Sequence, residues 1–131
     1  MARIVAVDDE PSFLELLQEL LGDEGHLVIP VKRGDAAHNV IRRHRPDVVL
    51  LDMHLEHAEG GWMILDRMRL DAETAHIPVI ICSADRVLLQ QHAEHLMEEG
   101  SCILEKPFEL EALLSTLATA LAPDSRACGG V

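Results

Sequence analysis

Five polar side chains follow four short apolar runs of this sequence, and their chemical types could work together in one site. Asp8 and Asp9 follow the first run, Asp52 ends the central run, and Ser83 and Lys106 follow the last two. Carboxylates placed close together repel one another, and a divalent cation removes that repulsion. Mg²⁺ suits such a set because it takes oxygen ligands and keeps several waters. If the fold brings these ends together, the residue types favour a magnesium site with a hydroxyl and an ammonium group beside it.

A site of this composition could carry out phosphoryl transfer. A magnesium ion and the Lys106 ammonium would balance the charge of the carboxylates, so that a phosphoryl dianion could approach them. Asp52 is the candidate nucleophile, because an aspartate at the end of a buried strand could form an acyl phosphate there. A capping or turn role is the alternative for Asp52 taken alone. The sequence has no GxGxxG or Walker motif, and Ser83 lacks the flanking glycines of a hydrolase nucleophile elbow.

The elements that must position these side chains alternate regularly between strand and helix. Residues 47–52 contain four apolar residues in a row, which is typical of a strand buried on both faces. Pro30 predicts an edge position for the second strand. We predict strands over 3–7, 26–31, 47–52, 77–82 and 101–104, and helices over 11–21, 34–44, 61–70, 86–99 and 108–122. This order indicates an α/β fold with a parallel sheet covered on both faces, whose strand ends share one rim.

The length, net charge and apolar runs of the chain limit the number of domains and the classes of partner. The 131 residues suit one domain, which we place at 1–122, followed by a short flexible tail at 123–131. The net charge of −12 argues against a nucleic-acid surface and is compatible with metal cations and a basic protein partner. No apolar run approaches the length of a membrane span, and no signal-peptide pattern opens the chain. We therefore expect a cytoplasmic protein with no membrane or direct nucleic-acid contact.

Taken together and in order, these motifs resemble the receiver domain of bacterial two-component response regulators. The resemblance extends from about residue 3 to residue 121, and its carriers are Asp8-Asp9, Asp52 after an apolar strand, Ser83-Ala84, and Lys106-Pro107-Phe108. It implies a single doubly wound (βα)5 domain of the flavodoxin-like kind. It also implies a five-stranded parallel sheet in the order 2-1-3-4-5.

The resemblance also implies a role for each site residue. Asp52 would accept a phosphoryl group from a phosphohistidine on a sensor histidine kinase or a histidine phosphotransfer protein. Ser83 and Lys106 would each contact a phosphoryl oxygen. The metal site would hold Mg²⁺ through Asp9, Asp52 and the backbone carbonyl of His54, with Asp8 acting mostly through water. Two flanking side chains, His54 and Asp85, would tune how fast water removes the phosphoryl group.

Three departures from the family pattern qualify this interpretation. Ile103 stands where the family often has Tyr or Phe, so the usual coupling of the hydroxyl to an aromatic rotamer is in doubt. The loop after Asp52 has Glu56 at the common proline position and is one residue longer before Trp62. No output domain follows Leu121, which favours a stand-alone or truncated receiver.

The function that we predict is a phosphorylation-dependent signalling switch. Such a protein would not be a turnover enzyme, although it would catalyse its own phosphorylation and dephosphorylation. A pseudo-receiver, which keeps the fold as a protein-interaction module without phosphorylation, is the alternative. A metal-dependent phosphatase is disfavoured, because His54 replaces the second catalytic acid two residues after Asp52. The downstream partner and the formation of a homodimer stay open.

Three features away from the strand ends carry structural predictions. Trp62, the only tryptophan, lies on an apolar helical stripe and is predicted to pack in the core. His92 and His95 are three residues apart on a predicted helix and are expected on a solvated face. The same helix is predicted to turn Leu89, Ala93, Leu96 and Met97 inward.

Overall fold

The computed structural model describes residues 2–53 and 60–122, and every structural statement below concerns these two segments. Strands and helices alternate along them. The strands are β1 (Arg3–Val7), β2 (Leu27–Val31), β3 (Val48–Asp52), β4 (Val79–Ser83) and β5 (Cys102–Glu105). The helices are α1 (Pro11–Asp23), α2 (Gly34–His44), α3 (Gly60–Leu70), α4 (Arg86–Glu98) and α5 (Leu110–Ala120).

The strands form one parallel sheet in the order β2-β1-β3-β4-β5. This topology confirms the predicted fold class, including the edge position of β2, where Pro30 lies. The largest boundary difference in a strand is at β4, which begins at Val79 rather than at residue 77. Ile77 instead donates its backbone N–H to the Thr74 carbonyl in a preceding turn, and Pro78 has no N–H to donate.

Helices cover both faces of the sheet, and each face has its own hydrophobic core. Val49 and Leu51 of β3 pack on the face covered by α2, α3 and α4, whereas Val48 and Leu50 pack on the face covered by α1 and α5. All five residues of β3 are buried, as the unbroken apolar run predicts. Complete burial of such a side chain is worth roughly 1.5–3 kcal/mol. The sheet is therefore held firmly at the strand that ends in Asp52.

Helix α4 corrects one core prediction and confirms another. Leu89 and Leu96 are buried, but Met97 is 37% exposed, so its predicted inward position is wrong. One helical step of about 100° turns Met97 away from the stripe that Leu96 occupies. His92 is exposed as predicted, and its ring lies edge-on to Trp62 with the ring centroids 4.8 Å apart. Trp62 is partly buried against the core, which confirms its packing role.

None of the described helices combines the length and the apolar content needed to cross a membrane.

Candidate functional site

The carboxyl ends of β1 and β3 bring three aspartates together. Val7 pairs with Leu51 in the parallel register, so Asp8 and Asp52 follow neighbouring positions of adjacent strands. One carboxylate oxygen from each of Asp8, Asp9 and Asp52 lies within 4.8 Å of the other two. Asp8 and Asp52 are buried, whereas Asp9 is exposed at the rim. This cluster offers the oxygen donors that a hard divalent cation such as Mg²⁺ prefers, so the residues present fit that ion.

The carboxylate of Asp8 is held at both of its oxygens. Oδ1 accepts a hydrogen bond from the backbone N–H of Glu10 at 2.9 Å. Oδ2 accepts one from the Lys106 ammonium at 2.6 Å. Because Asp8 is only 2% exposed, these bonds determine its orientation. Asp8 therefore anchors the lysine to the acidic cluster.

Lys106 reaches the cluster from the end of β5. Its Nζ lies 2.6 Å from Asp8 Oδ2 and 3.9 Å from Asp52 Oδ2. Burial would lower the pKa of Lys106, but the hydrogen bond to Asp8 and the charges of Asp52 and Asp8 outweigh burial and leave that pKa raised. The ammonium thus stays charged at neutral pH, beside the carboxylate that we consider the nucleophile.

Ser83 ends β4 and is completely buried. Its Oγ accepts a hydrogen bond from the backbone N–H of Asp85 at 3.0 Å. Its carbonyl accepts one from the backbone N–H of Lys106 at 2.9 Å, which ties the ends of β4 and β5 together. The structure thus places the predicted hydroxyl and the predicted ammonium on adjacent strand ends.

Asp85 has a structural role that the sequence reasoning missed. It is the N-cap of α4, and its side chain accepts a hydrogen bond from the backbone N–H of Leu88 at 3.0 Å. The signal was present, because an aspartate directly before an amphipathic stretch is a common helix start. Its predicted effect on the lifetime of a phosphorylated state stays a prediction, to be separated from the capping role by experiment.

Cys82 lies in the floor beneath the cluster. It is paired with Asp52 in the sheet register and is 2% exposed. Burial raises the pKa of its thiol to about 12, and the nearby carboxylates add to that effect against the opposing charge of Lys106. The thiolate is the form that binds metals and attacks electrophiles. Because the thiol of Cys82 stays protonated at neutral pH, this residue is unreactive there and serves to fill the core.

Two sets of predictions lie outside the described residues. His54 is among residues 54–59, so neither its backbone carbonyl as a metal ligand nor its side chain as a rate-tuning group has a described position. The tail predicted at 123–131 also lies outside them. These assignments stay predictions.

Ile103 is described, and its placement bears on the departure noted from the sequence. Its side chain is partly buried against the core on the α4 side of the sheet. An aliphatic side chain packed there cannot supply the aromatic ring of the family pattern.

Comparison with known proteins places this geometry in a family. Residues 4–118 match the family model of the response regulator receiver domain. Protein PilH of Pseudomonas aeruginosa is 33% identical over 125 residues, which cover 93% of this chain and 99% of PilH. The polar-differentiation response regulator DivK of Brucella anthropi is 27% identical, over 90% of this chain and 94% of DivK.

Solved structures agree with the sequence comparison. A chemotaxis protein CheY4 of Vibrio cholerae has a TM-score of 0.75 at 26% identity, covering 89% of this chain and 96% of CheY4. The signal receiver domain of a LuxO repressor protein from Vibrio parahaemolyticus has a TM-score of 0.79 at 29% identity, covering 96% of this chain and 92% of that domain. The chain therefore belongs to the response regulator receiver domain family.

Proposed function

We propose that this chain is a Mg²⁺-dependent phosphorylation switch that accepts a phosphoryl group on Asp52. The observation that carries the proposal is the convergence of three carboxylates within 4.8 Å of one another, with the Lys106 ammonium bound among them. The donor would be a phosphohistidine of a sensor histidine kinase or a histidine phosphotransfer protein. Family membership supports this donor class, because receivers act in two-component signalling.

The three carboxylates would share the metal unequally. Both oxygens of Asp8 already accept hydrogen bonds, which supports a role for Asp8 through water. Asp9 and Asp52 would bind Mg²⁺ directly, together with the backbone carbonyl of His54. When bound, the ion supplies positive charge that lowers the repulsion between the carboxylates and an incoming phosphoryl group.

The chain's own residues would then carry the transfer. A carboxylate oxygen of Asp52 forms a bond to phosphorus as the phosphorus–nitrogen bond of the donor breaks, and the electron pair returns to the imidazole, which takes a proton from solvent. Lys106, at 3.9 Å from Asp52, would pair with one phosphoryl oxygen. The hydroxyl of Ser83 would donate to another. Because the product is the modified chain itself, the protein would not act as a turnover enzyme.

The partners that we propose are proteins. PilH and DivK have lengths close to that of this chain, which covers 99% and 94% of them. A net charge of −12 disfavours direct contact with nucleic acid and favours a partner with a basic surface. We propose that the switch works in the cytoplasm and delivers its signal through a protein contact.

The first prediction tests the nucleophile with acetyl phosphate as a small donor and Mg²⁺ present. The parent protein should gain the mass of one phosphoryl group at Asp52, and Asp52→Asn should gain none, because an amide is a poor nucleophile. Asp66→Asn serves as the control, because Asp66 is exposed on α3. Equal labelling of Asp52→Asn at another residue would refute the assignment. A parent protein that takes no phosphoryl group would point instead to the pseudo-receiver.

A further inference from the structure

An aromatic ring lies beneath the Lys106 ammonium, close to the acidic cluster. Phe13, in the first turns of α1, places its ring centroid 4.0 Å from Lys106 Nζ. Phe108 meets the same ring edge-on, with centroids 6.0 Å apart and an angle of 79° between the planes. The ammonium of Lys106 therefore contacts both the carboxylate of Asp8 and the face of Phe13.

This arrangement restricts a side chain that is otherwise flexible. A lysine carries four rotatable bonds and a strongly hydrated ammonium, so an ion pair alone leaves it several accessible positions. The face of an aromatic ring attracts a cation, and the attraction strengthens as water is excluded. The side chain of Lys106 is only 18% exposed, so the ring and the carboxylate replace much of its water.

The contact between the Phe13 ring and the Lys106 ammonium depends on direction, unlike the attraction between two charges. Asp8 would hold the ammonium by charge alone at many angles, and the attraction of the Phe13 ring favours those angles that keep Nζ over its face. Phe108 supports the ring from two residues beyond Lys106, so β5, its following loop and α1 are joined at one point. The ring and the lysine that meet here are residues 13 and 106, which lie far apart in the sequence.

We propose that Phe13 is a positioning residue that keeps the Lys106 ammonium at the acidic cluster, ready to meet the phosphoryl group. This inference rests on the proposed function. In this scheme Phe13 binds neither the metal nor the phosphoryl group, and it acts only through Lys106. Its loss should therefore slow phosphoryl transfer while leaving the affinity for Mg²⁺ nearly unchanged.

The first measurement reads the position of Lys106 directly, without any phosphorylation. Protons above an aromatic face are shielded, so the ε-methylene proton signals of Lys106 should be shifted upfield in the NMR spectrum of the metal-free parent. Phe13→Leu should lose this shift, and Phe13→Trp should keep it, because tryptophan offers a larger aromatic face. The absence of an upfield shift in the parent would overturn the proposal.

The second measurement is a double-mutant cycle on the phosphorylation rate with acetyl phosphate at saturating Mg²⁺. Phe13→Leu should slow the reaction by about three- to tenfold, and Phe13→Trp should restore most of the rate. In a Lys106→Ala background, Phe13→Leu should have no further effect, because the group that it positions is gone. The Mg²⁺ concentration for half-maximal rate should agree within about twofold between parent and Phe13→Leu, since the cation ligands are intact.

Two results would overturn the positioning role even if the NMR shift were present. One is a Phe13→Leu effect of equal size in the parent and in the Lys106→Ala background, which would mean that Phe13 acts through general packing. The other is a Phe13→Trp rate as low as that of Phe13→Leu. A parent protein that takes no phosphoryl group would refute the proposed function instead, and the position of Lys106 would then be decided by the NMR shift alone.

Discussion

Three residues of one type have different surroundings at this site. Asp8 is buried and bound at both oxygens, so it orients Lys106 more readily than it could bind a metal directly. Asp9 is exposed at the rim, which supports the direct contact with Mg²⁺ that we propose for it. Asp52 is buried at the end of the central strand, which would limit the access of water to the acyl phosphate that we propose there. These differences in burial support the unequal roles that we propose for the three carboxylates.

Asp85 provides a second prediction, because capping and charge can be separated there. Asp85→Asn keeps an oxygen that can accept the Leu88 N–H bond, whereas Asp85→Ala removes the cap and should cost about 1 kcal/mol. If the charge of Asp85 tunes water attack on phosphorylated Asp52, both variants should change the dephosphorylation rate. Only Asp85→Ala, which lacks the cap, should lower the urea concentration at the midpoint of unfolding. The measurement is decay of the phosphorylated protein with Mg²⁺ present and donor removed.

A parent-like decay rate in Asp85→Asn would show that the charge has no such role. His54→Ala is the companion variant. It should change the decay rate while leaving Mg²⁺ binding nearly intact, because the substitution preserves the backbone carbonyl.

Helix α3 begins in direct contact with the strand that carries Asp52, and this contact requires glycine. A Cβ on Gly61 would lie 2.5 Å from Met53 Cα and 2.8 Å from the Asp52 carbonyl oxygen. Both neighbours are backbone atoms, so α3 and the end of β3 would have to move apart. The packing of α3 is thereby coupled to the position of the candidate nucleophile.

The third prediction follows from that contact. Gly61→Ala should destabilise the protein by about 1–3 kcal/mol, the usual cost of forcing an extra carbon into a packed interior. It should also slow phosphorylation by acetyl phosphate, because the backbone of Asp52 is displaced. Gly22→Ala in α1 is the control, since a Cβ there meets nothing within 4 Å and should stabilise the helix by about 0.5–1 kcal/mol. Urea unfolding gives the stability of both variants. A Gly61→Ala variant as stable as the parent would contradict the close contact between α3 and the end of β3.

The link between α2 and the turn before β4 is sensitive to acid. Asp71 Oδ1 accepts the backbone N–H of Glu73 at 3.0 Å, and Oδ2 lies 2.9 Å from Arg42 Nε in α2. The hydrogen bond from Glu73 lowers the pKa of Asp71 most, and the charge of Arg42 lowers it further against the opposing effect of burial. A carboxyl whose pKa is lowered by folding stabilises the fold above its unfolded pKa and loses that effect as the pH falls through its folded pKa.

The fourth prediction is therefore a pH-dependent effect of Asp71→Asn. The variant should have a lower urea midpoint than the parent near pH 7, because the charged hydrogen bond and the ion pair are weakened. The difference should shrink as the pH falls below the ordinary Asp value of 3.8, where the parent loses the same charge. Asp66→Asn on the exposed side of α3 should show no such convergence. A constant difference from neutral to acid pH would contradict the role of the Asp71 charge.

Across the whole molecule, the fold concentrates negative charge on a chain that is already strongly acidic. The net charge is −12, and the sheet places three carboxylates at one rim within 4.8 Å of one another. Folding therefore works against electrostatic repulsion at this rim. A ligand that binds the folded state alone stabilises it by mass action.

The fifth prediction is that Mg²⁺ stabilises the folded protein through this cluster. At about 100 times its dissociation constant, Mg²⁺ should stabilise the parent by about 2.7 kcal/mol, which raises the melting temperature by several degrees. Asp9→Asn should melt at a higher temperature than the parent in metal-free buffer, because one repulsive charge is gone, and it should respond less to Mg²⁺. KCl at equal ionic strength controls for general screening. Equal Mg²⁺ responses in both proteins would exclude the cluster as the binding site.

The sequence by itself determined the order and type of the elements, because apolar periodicity and the placement of Pro and Gly are local signals. The bounds predicted for β1 and α2 agree with the structure, and those of the remaining elements shift by a few residues. The candidate site residues were also recognisable from the sequence, since they follow apolar runs whose ends meet in any parallel sheet. The strand order came from family resemblance, because pattern alone does not say which strands are neighbours.

Only the tertiary structure decided which atoms meet at the site. Lys106 lies closer to Asp8 than to Asp52, and the two partners of that shorter contact are 98 residues apart in the chain. Phe13 belongs to a helix that the sequence predicts, but only the structure shows its ring against the Lys106 ammonium. Strand register, rotamers and the packing of distant elements set such distances together, and a linear pattern does not contain them.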